Sequence, residues 1–138
     1  MPHEDGAAYH PVVATVSLSG TLVLDVTEKP GASVEGESGS EGEKGERKSW
    51  RIVQEPRSLL ITTGEAYTET LHGIAEVTED VGLDAKTVAN WELLSEQGRK
   101  LIERNGGRNE RTTRISLTYR DVKKVSTIGS KVFGKART

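Results

Sequence analysis

The sequence contains no cysteine, few aromatic residues and no long apolar run. The absence of cysteine from all 138 residues excludes disulfides, thiolate zinc sites and cysteine nucleophiles. It also makes a reducing compartment, the cytoplasm or the nucleus, the default expectation. Because no apolar run approaches the roughly 18 residues that a membrane-spanning helix needs, we expect no membrane partner.

The hydrophobic and charged residues describe a polar chain with a thin core. Hydrophobic residues make up 33% and charged residues 29%. The length of 138 residues gives room for one domain of ordinary size. A net charge of -2 supplies no basic field, so any contact with nucleic acid would have to be local. The sequence also lacks a Gly-x-Ser-x-Gly elbow and a P-loop, which excludes the serine-hydrolase and P-loop nucleotide-binding classes.

Alternating apolar residues predict that strands dominate the fold. On the first strand four of them share one face: Val12, Ala14, Val16 and Leu18. Further strands are predicted over residues 21–26, 50–53, 58–62 and 114–121. Because Ser19 and Gly20 form a turn signal between the first two strands, that pair is predicted to be a hairpin.

Three other segments differ in kind from the strands. Residues 28–49 are acidic and carry glycine at every third position from 36 to 45. Four such triplets without proline are too few for a collagen helix. The composition therefore favours a disordered, solvated loop. Asp84 is expected to cap an inserted helix over 84–104. Residues 126–138 form a basic tail after a domain of residues 1–125. The strands and the single helix together favour a mainly β fold with an antiparallel sheet.

A few side chains stand at spacings that could carry chemistry. On an extended strand His3 and Asp5 would point to the same side and could share one cation. His72 follows an apolar strand and a turn, where a structural histidine bonded to a backbone carbonyl is the ordinary interpretation. Arg114 and Arg120 share one face of the last strand, and the gap between them would suit a short dicarboxylate. An ordinary solvent-facing polar strand is the alternative.

Taken together, these residues indicate a specific kind of metal site. Two histidines and one aspartate with open positions left over form the 2-His-1-carboxylate triad of non-haem iron(II) oxygenases. Six stretches carry a family resemblance: residues 1–6, 9–18, 55–61, 64–67, 71–74 and 114–120. They resemble the carboxy-terminal half of the AlkB homologues, a family of iron- and 2-oxoglutarate-dependent dioxygenases.

The resemblance implies roles for these residues. His3, Asp5 and His72 would ligate Fe(II), and Arg114 and Arg120 would lie at the 2-oxoglutarate site, with Arg114 on the distal carboxylate. The fold would be a partial double-stranded β-helix, or jelly roll, with one inserted helix. Such enzymes use O2, convert 2-oxoglutarate to succinate and oxidise an N-alkyl group, often on a nucleic-acid base.

Two other functions stay open at this point. The chain could be a non-catalytic protein-binding module that uses its acidic loop and amphipathic helix. It could also be an inactive, truncated gene product, because the resemblance covers only the carboxy-terminal half of the family. Some relatives that repair bases carry an acidic residue two positions after the aspartate ligand, where this sequence has Ala7. Nucleic acid therefore remains a candidate substrate, but the residue at position 7 does not support it.

Overall fold

The computed structural model describes residues 1–31 and 47–124, and the fold of this part of the chain is mainly β. Its strands are β1 (Tyr9–Ser19), β2 (Leu22–Glu28), β3 (Ser49–Gln54), β4 (Ser58–Thr63), β5 (Thr70–Gly73), β6 (Glu79–Asp80), β7 (Asn109–Glu110) and β8 (Ile115–Val122). Its α-helices are α1 (Glu65–Thr68) and α2 (Glu96–Arg104), and a 3-10 turn covers Trp91–Leu93. The predicted mainly β, partial jelly-roll architecture is confirmed.

Two three-stranded antiparallel sheets form the body of the fold. The first has the strand order β4-β1-β8 and the second has the order β3-β2-β5. In the first sheet Val16 pairs with Leu59 on one side and Leu117 on the other. In the second sheet Val26 lies between Trp50 and His72. Both sheets line one cavity of about 550 Å³, which therefore lies between them.

The hairpin predicted from residues 12–26 is wrong, because β1 and β2 lie in different sheets. β1 is paired on both sides by β4 and β8, and β2 is paired on both sides by β3 and β5, so neither strand offers the other a free edge. The chain crosses between the sheets at Gly20, whose φ of 68° glycine adopts without strain. An alternating pattern predicts a strand, but it does not identify the strand that pairs with it.

The apolar face of the β4-β1-β8 sheet is its exposed face. Val12 and Leu18 of β1 are exposed, as are Leu59 of β4, at 59%, and Tyr119 of β8. The opposite face buries Val13 at the cavity together with polar side chains of the same strands. The alternation therefore predicted the strands correctly, but the face that points inward is the more polar of the two because it lines the cavity.

A second part of the core lies between the paired strands β2 and β3 and the segment that joins β5 to β8. The buried apolar side chains that form it are Val23, Val53, Leu83, Val88, Trp91, Leu94 and Ile102. Asn90 of this segment also bonds the edge of β3, since its amide accepts from the N–H of Val53 and donates to the carbonyl of Val53, both at 2.9 Å. The inserted segment thus covers a strand edge that would otherwise be open.

The helix predicted over 84–104 is wrong in extent, because Asp84 caps only a turn. The Oδ1 atom of Asp84 accepts from the N–H of Lys86 at 2.7 Å and from the N–H of Thr87 at 3.0 Å. These bonds resemble a helix cap, but the chain then continues through turns rather than a helix. The periodic apolar residues that suggested one long helix come partly from these turns.

The helix itself follows a second cap, Ser95, which lies eleven residues after Asp84. Leu94 and Ser95 have extended ψ angles of 150° and 148°, which interrupt any helix from the preceding turns. The Oγ atom of Ser95 accepts from the N–H of Gly98 at 3.0 Å, an N-cap bond that starts α2 at Glu96. Neither α2 nor any other helix in the described ranges is long and apolar enough to cross a membrane.

Two sequence predictions fall wholly or partly outside the described residues. The loop predicted over 28–49 includes residues 32–46, and the predicted tail over 126–138 lies entirely beyond residue 124. At its ends the loop is shorter than predicted, because Glu28 is the last residue of β2 and Ser49 is the first residue of β3. The N–H of Glu28 donates to the carbonyl of Lys48 at 3.0 Å, which extends the pairing of these strands by one step.

Substituting Gly98 with alanine is expected to lower the free energy of unfolding by about 1–2 kcal/mol. Alanine ordinarily stabilises a helix interior, but here its Cβ would collide with Oε1 of Glu55. To move away, Glu55 would have to release the N–H and Oγ of Ser95, which donate to it at 2.8 and 2.7 Å. Urea denaturation measures the change. In a Glu55→Ala background the same substitution should stabilise the protein, and stabilisation in the unmodified background would contradict the argument.

Candidate functional site

His3 and His72 face each other across an isolated antiparallel backbone pair. The N–H of each residue donates to the carbonyl of the other at 2.9 Å. The centroids of the two imidazole rings are 4.6 Å apart. Because His72 lies in β5, at the edge of the second sheet, this pairing attaches the amino-terminal segment to that sheet.

Asp5 lies beside the two histidines with a side chain that is only 6% exposed. Its Oδ2 atom is 3.8 Å from Nε2 of His72. Its Oδ1 atom accepts from Nε of Arg120 at 2.6 Å and lies 2.5 Å from Nη2 of the same guanidinium. Arg120 therefore holds one carboxylate oxygen while the other faces the imidazole. The three predicted metal ligands are brought together in space.

The surroundings of His72 favour its neutral form. Burial lowers the pKa of His72 below its usual value, the Asp5 carboxylate opposes this, and the neighbouring His3 and Arg120 lower the pKa further. A neutral imidazole keeps a nitrogen lone pair available, which metal coordination requires.

The three side chains suit a metal ion in their chemistry but are not arranged around one. Among the described residues, no group of three or more His, Asp or Glu side chains is placed so that it could hold a metal ion. Imidazole nitrogens and a carboxylate oxygen are nonetheless the donors that non-haem Fe(II) takes. The residues fit such an ion in kind and in proximity, and binding it requires their side chains to turn toward a common centre.

Several contacts hold the amino-terminal segment that carries His3 and Asp5. The hydroxyl of Tyr67, in α1, lies 3.0 Å from the carbonyl oxygens of both Asp5 and Gly6. Glu4 forms an ion pair with Lys29. With the histidine pairing and the Arg120 bond, these contacts attach the segment to both sheets and to α1, which fixes the backbone of the predicted ligands.

Arg114 lies just before β8 and is held by neutral oxygen atoms. Its Nη2 donates to Oε1 of Gln54 at 2.6 Å and to Oγ of Ser17 at 3.1 Å, and its Nη1 donates to Oγ of Ser116 at 2.7 Å. The Nε atom is buried and has no hydrogen-bond partner among the described residues. Burial lowers the pKa of Arg114 below its usual value, although a guanidinium remains charged near neutral pH.

All five predicted site residues line the cavity between the sheets: His3, Asp5, His72, Arg114 and Arg120. The guanidinium of Arg120 also lies 5.7 Å from the centroid of the Tyr9 ring, which makes a cation–π contact. A volume of about 550 Å³ falls within the range of small-molecule sites. The cavity therefore has room for a small molecule beside the imidazole and carboxylate side chains and the two guanidinium groups.

Comparison with known proteins supports the family suggested by the sequence. The chain is 35% identical over 125 residues to a Danio rerio protein described as a probable RNA/DNA demethylase, ALKBH6. The resemblance to the AlkB homologues is confirmed. The matched region is 91% of this chain but 48% of that protein, so the chain spans about half the length of this relative. No family model matches the sequence.

The sequence pattern did not single out every residue that shapes the cavity. Ser116 lies on the same strand face as Arg114, so the alternation of β8 already pointed to it. Gln54 and Ser17 were missed, since a glutamine at a strand end and a serine within a strand carry no signal of their own. Only the packing of two separate sheets shows that both contact Arg114.

Proposed function

We propose that this AlkB-like chain carries an Fe(II)- and 2-oxoglutarate-dependent dioxygenase site that oxidatively removes alkyl groups from nitrogen. The observation that carries the proposal is the single cavity onto which both the imidazole–carboxylate set and two arginines open. A metal-ligating set alone, or a pair of arginines alone, would suit many functions. Their convergence between two sheets suits a metal together with a dicarboxylate cosubstrate.

Each residue of the site has a distinct proposed role. His3, Asp5 and His72 would hold Fe(II). Arg114 would bind the distal carboxylate of 2-oxoglutarate, because its partly buried charge has only neutral hydrogen-bond partners. Arg120 would orient the Asp5 carboxylate, leaving the second oxygen for the metal side. The two sheets would keep bulk water away from the reacting atoms.

The chemistry and the substrate class follow from the proposed site. When bound, Fe(II) with 2-oxoglutarate and O2 supplies the oxidation of a C–H bond, and the cosubstrate leaves as succinate and CO2. Oxidation of an N-methyl group would give an N-hydroxymethyl group, which breaks down to formaldehyde and the free amine. The name of the Danio rerio relative refers to RNA and DNA, so N-methylated oligonucleotides are the first substrates to test.

The experiment that tests the metal site is an anaerobic titration of the purified chain with Fe(II), or with Mn(II) as a redox-silent substitute, in the presence of 2-oxoglutarate. We expect thermal stabilisation that needs both ligands and a weak visible charge-transfer band with Fe(II). His72→Ala should weaken metal binding by about tenfold or more, since it removes one of three protein ligands. His10→Ala, an exposed histidine outside the cavity, serves as the matched control. Unchanged metal binding by His72→Ala would overturn the ligand assignment.

A second candidate function is a non-catalytic interaction module. The exposed apolar face of the β4-β1-β8 sheet favours it, because exposed patches of this kind commonly mark protein interfaces. On this alternative the purified chain would self-associate through that face in sedimentation experiments, and His72→Ala would leave the association unchanged. A monomeric chain that responds to metal and 2-oxoglutarate together would exclude it.

A further inference from the structure

Arg114 differs from Arg111 and Arg120, which both bond to buried carboxylates. Arg111 pairs with Asp80 and Arg120 pairs with Asp5, so each of these cations has a counter-ion within the protein. Within residues 1–31 and 47–124, no carboxylate forms an ion pair with Arg114. Its acceptors are an amide oxygen and two hydroxyl oxygens, none of which carries charge.

The acceptors of Arg114 come from three strands, and two of them are buried. Gln54, at the end of β3, is 4% exposed, and Ser17, in β1, is fully buried. The hydroxyl of Ser17 also donates to Oε1 of Gln54, at 3.3 Å, so the two acceptors are linked to each other. The guanidinium is thus fixed by groups from both sheets, while its buried Nε–H is left without a partner in the described structure.

Arg114 is a partly buried cation, and such a charge without a counter-ion is unfavourable unless something compensates for it. A glutamate at position 54 would have nearly the same shape as glutamine and would supply the missing negative charge. The chain instead has a neutral amide there, 2.6 Å from the guanidinium. Without a ligand this arrangement is less favourable than an internal ion pair would be, but it leaves the positive charge for a ligand.

We propose that Gln54 is a positioning residue, which orients the guanidinium of Arg114 without neutralising it and so keeps the charge available to a carboxylate of the cosubstrate. This inference rests on the proposed 2-oxoglutarate site and adds a residue to it. Ser17 supports Gln54 through the buried hydroxyl–amide bond. Preorganisation of this kind strengthens binding because the side chain does not have to be ordered when the ligand arrives.

The test compares Gln54→Glu with the unmodified chain. Affinity for 2-oxoglutarate is measured by calorimetry with Mn(II) present, and affinity for glutarate, which lacks the keto group, is measured without metal. Because the new carboxylate would compete with the ligand for the guanidinium, we expect both affinities to fall by about tenfold or more. Thermal stability without ligand should stay the same or rise, since an internal ion pair forms. In turnover assays the KM for 2-oxoglutarate should rise while kcat at saturation changes little.

Two further variants separate positioning from a purely structural role. Gln54→Met keeps the size but removes the acceptor, and it should weaken glutarate binding less than Gln54→Glu while lowering thermal stability more. Gln97→Glu makes the same chemical change at an exposed position of α2 and should alter nothing. If the unmodified chain binds 2-oxoglutarate and Gln54→Glu binds it equally well, the role of Gln54 is overturned and the proposed function stands. If the unmodified chain binds neither dicarboxylate, both are overturned.

Discussion

Replacing Gly20 with alanine is expected to lower the free energy of unfolding by about 2–5 kcal/mol, as the sum of two costs. The first cost is conformational, because a φ of 68° is unfavourable for any residue with a Cβ atom. The second is steric, because that Cβ would lie 2.9 Å from both the Cα of Arg114 and the carbonyl oxygen of Thr113. Both are backbone atoms, so relief requires the crossing between the sheets to shift. Urea denaturation followed by circular dichroism measures the loss.

Gly82→Ala is the matched control for this prediction. Gly82 has a similar φ of 64°, but a Cβ there would meet nothing within 4 Å. We therefore expect only the conformational cost, about 1–2 kcal/mol. The difference between the two variants isolates the collision with the backbone of Arg114. Equal losses for Gly20→Ala and Gly82→Ala would show that the close approach of the two chain segments is not limiting.

Replacing Asp80 with alanine is expected to lower the free energy of unfolding by about 3–5 kcal/mol. The side chains of Asp80 and Arg111 are 3% and 13% exposed, and the guanidinium bonds both carboxylate oxygens, with Nη2 at 2.6 Å from Oδ1 and Nε at 3.1 Å from Oδ2. Asn109 donates to the same carboxylate at 3.0 Å. Removing it would leave a largely buried cation unpaired at the β6–β7 ladder, which closes the inserted segment. Thermal and urea unfolding report the loss.

The neighbouring ion pair provides the control for Asp80→Ala. Glu79 and Arg108 are joined by a contact of 2.6 Å, but both side chains are substantially exposed. Glu79→Ala should therefore cost less than about 1 kcal/mol, as surface ion pairs usually do. Asp80→Asn keeps an acceptor oxygen and should fall between the two alanine variants. A loss for Asp80→Ala no greater than that for Glu79→Ala would contradict the assigned importance of burial.

The positions of the strands were easier to predict from the sequence than the way in which the strands pair. Alternation located β1, β2, β4 and β8, because side chains on a strand point to opposite faces in turn. It could not show that β1 and β2 enter different sheets, since pairing depends on contacts with distant strands. It also predicted one long helix, because Val88 and Trp91 lie in turns whose apolar spacing resembles a helical period. Only the extended backbone at Leu94 separates these turns from α2.

The candidate site was predictable in its composition but not in its supporting contacts. The five residues proposed for metal and cosubstrate came from their spacing together with a family resemblance, and they line one cavity. The bond between Arg120 and Asp5 was not foreseen, because it joins positions 115 residues apart. The neutral acceptors of Arg114 were not foreseen either, since Gln54 becomes informative only when its distance from the guanidinium is known.

The bond between Asp5 and Arg120 has a consequence for how the protein folds. Contacts between distant positions require large loops to close, so their entropy cost precedes their gain. The backbone pairing of His3 with His72 has the same character, because it joins the amino-terminal segment to a strand in the middle of the chain. The cavity therefore takes shape only after the strands of both sheets have found their partners. The proposed ligand binding would thus require the last stage of folding, and a partly folded chain with much of its secondary structure in place would still lack it.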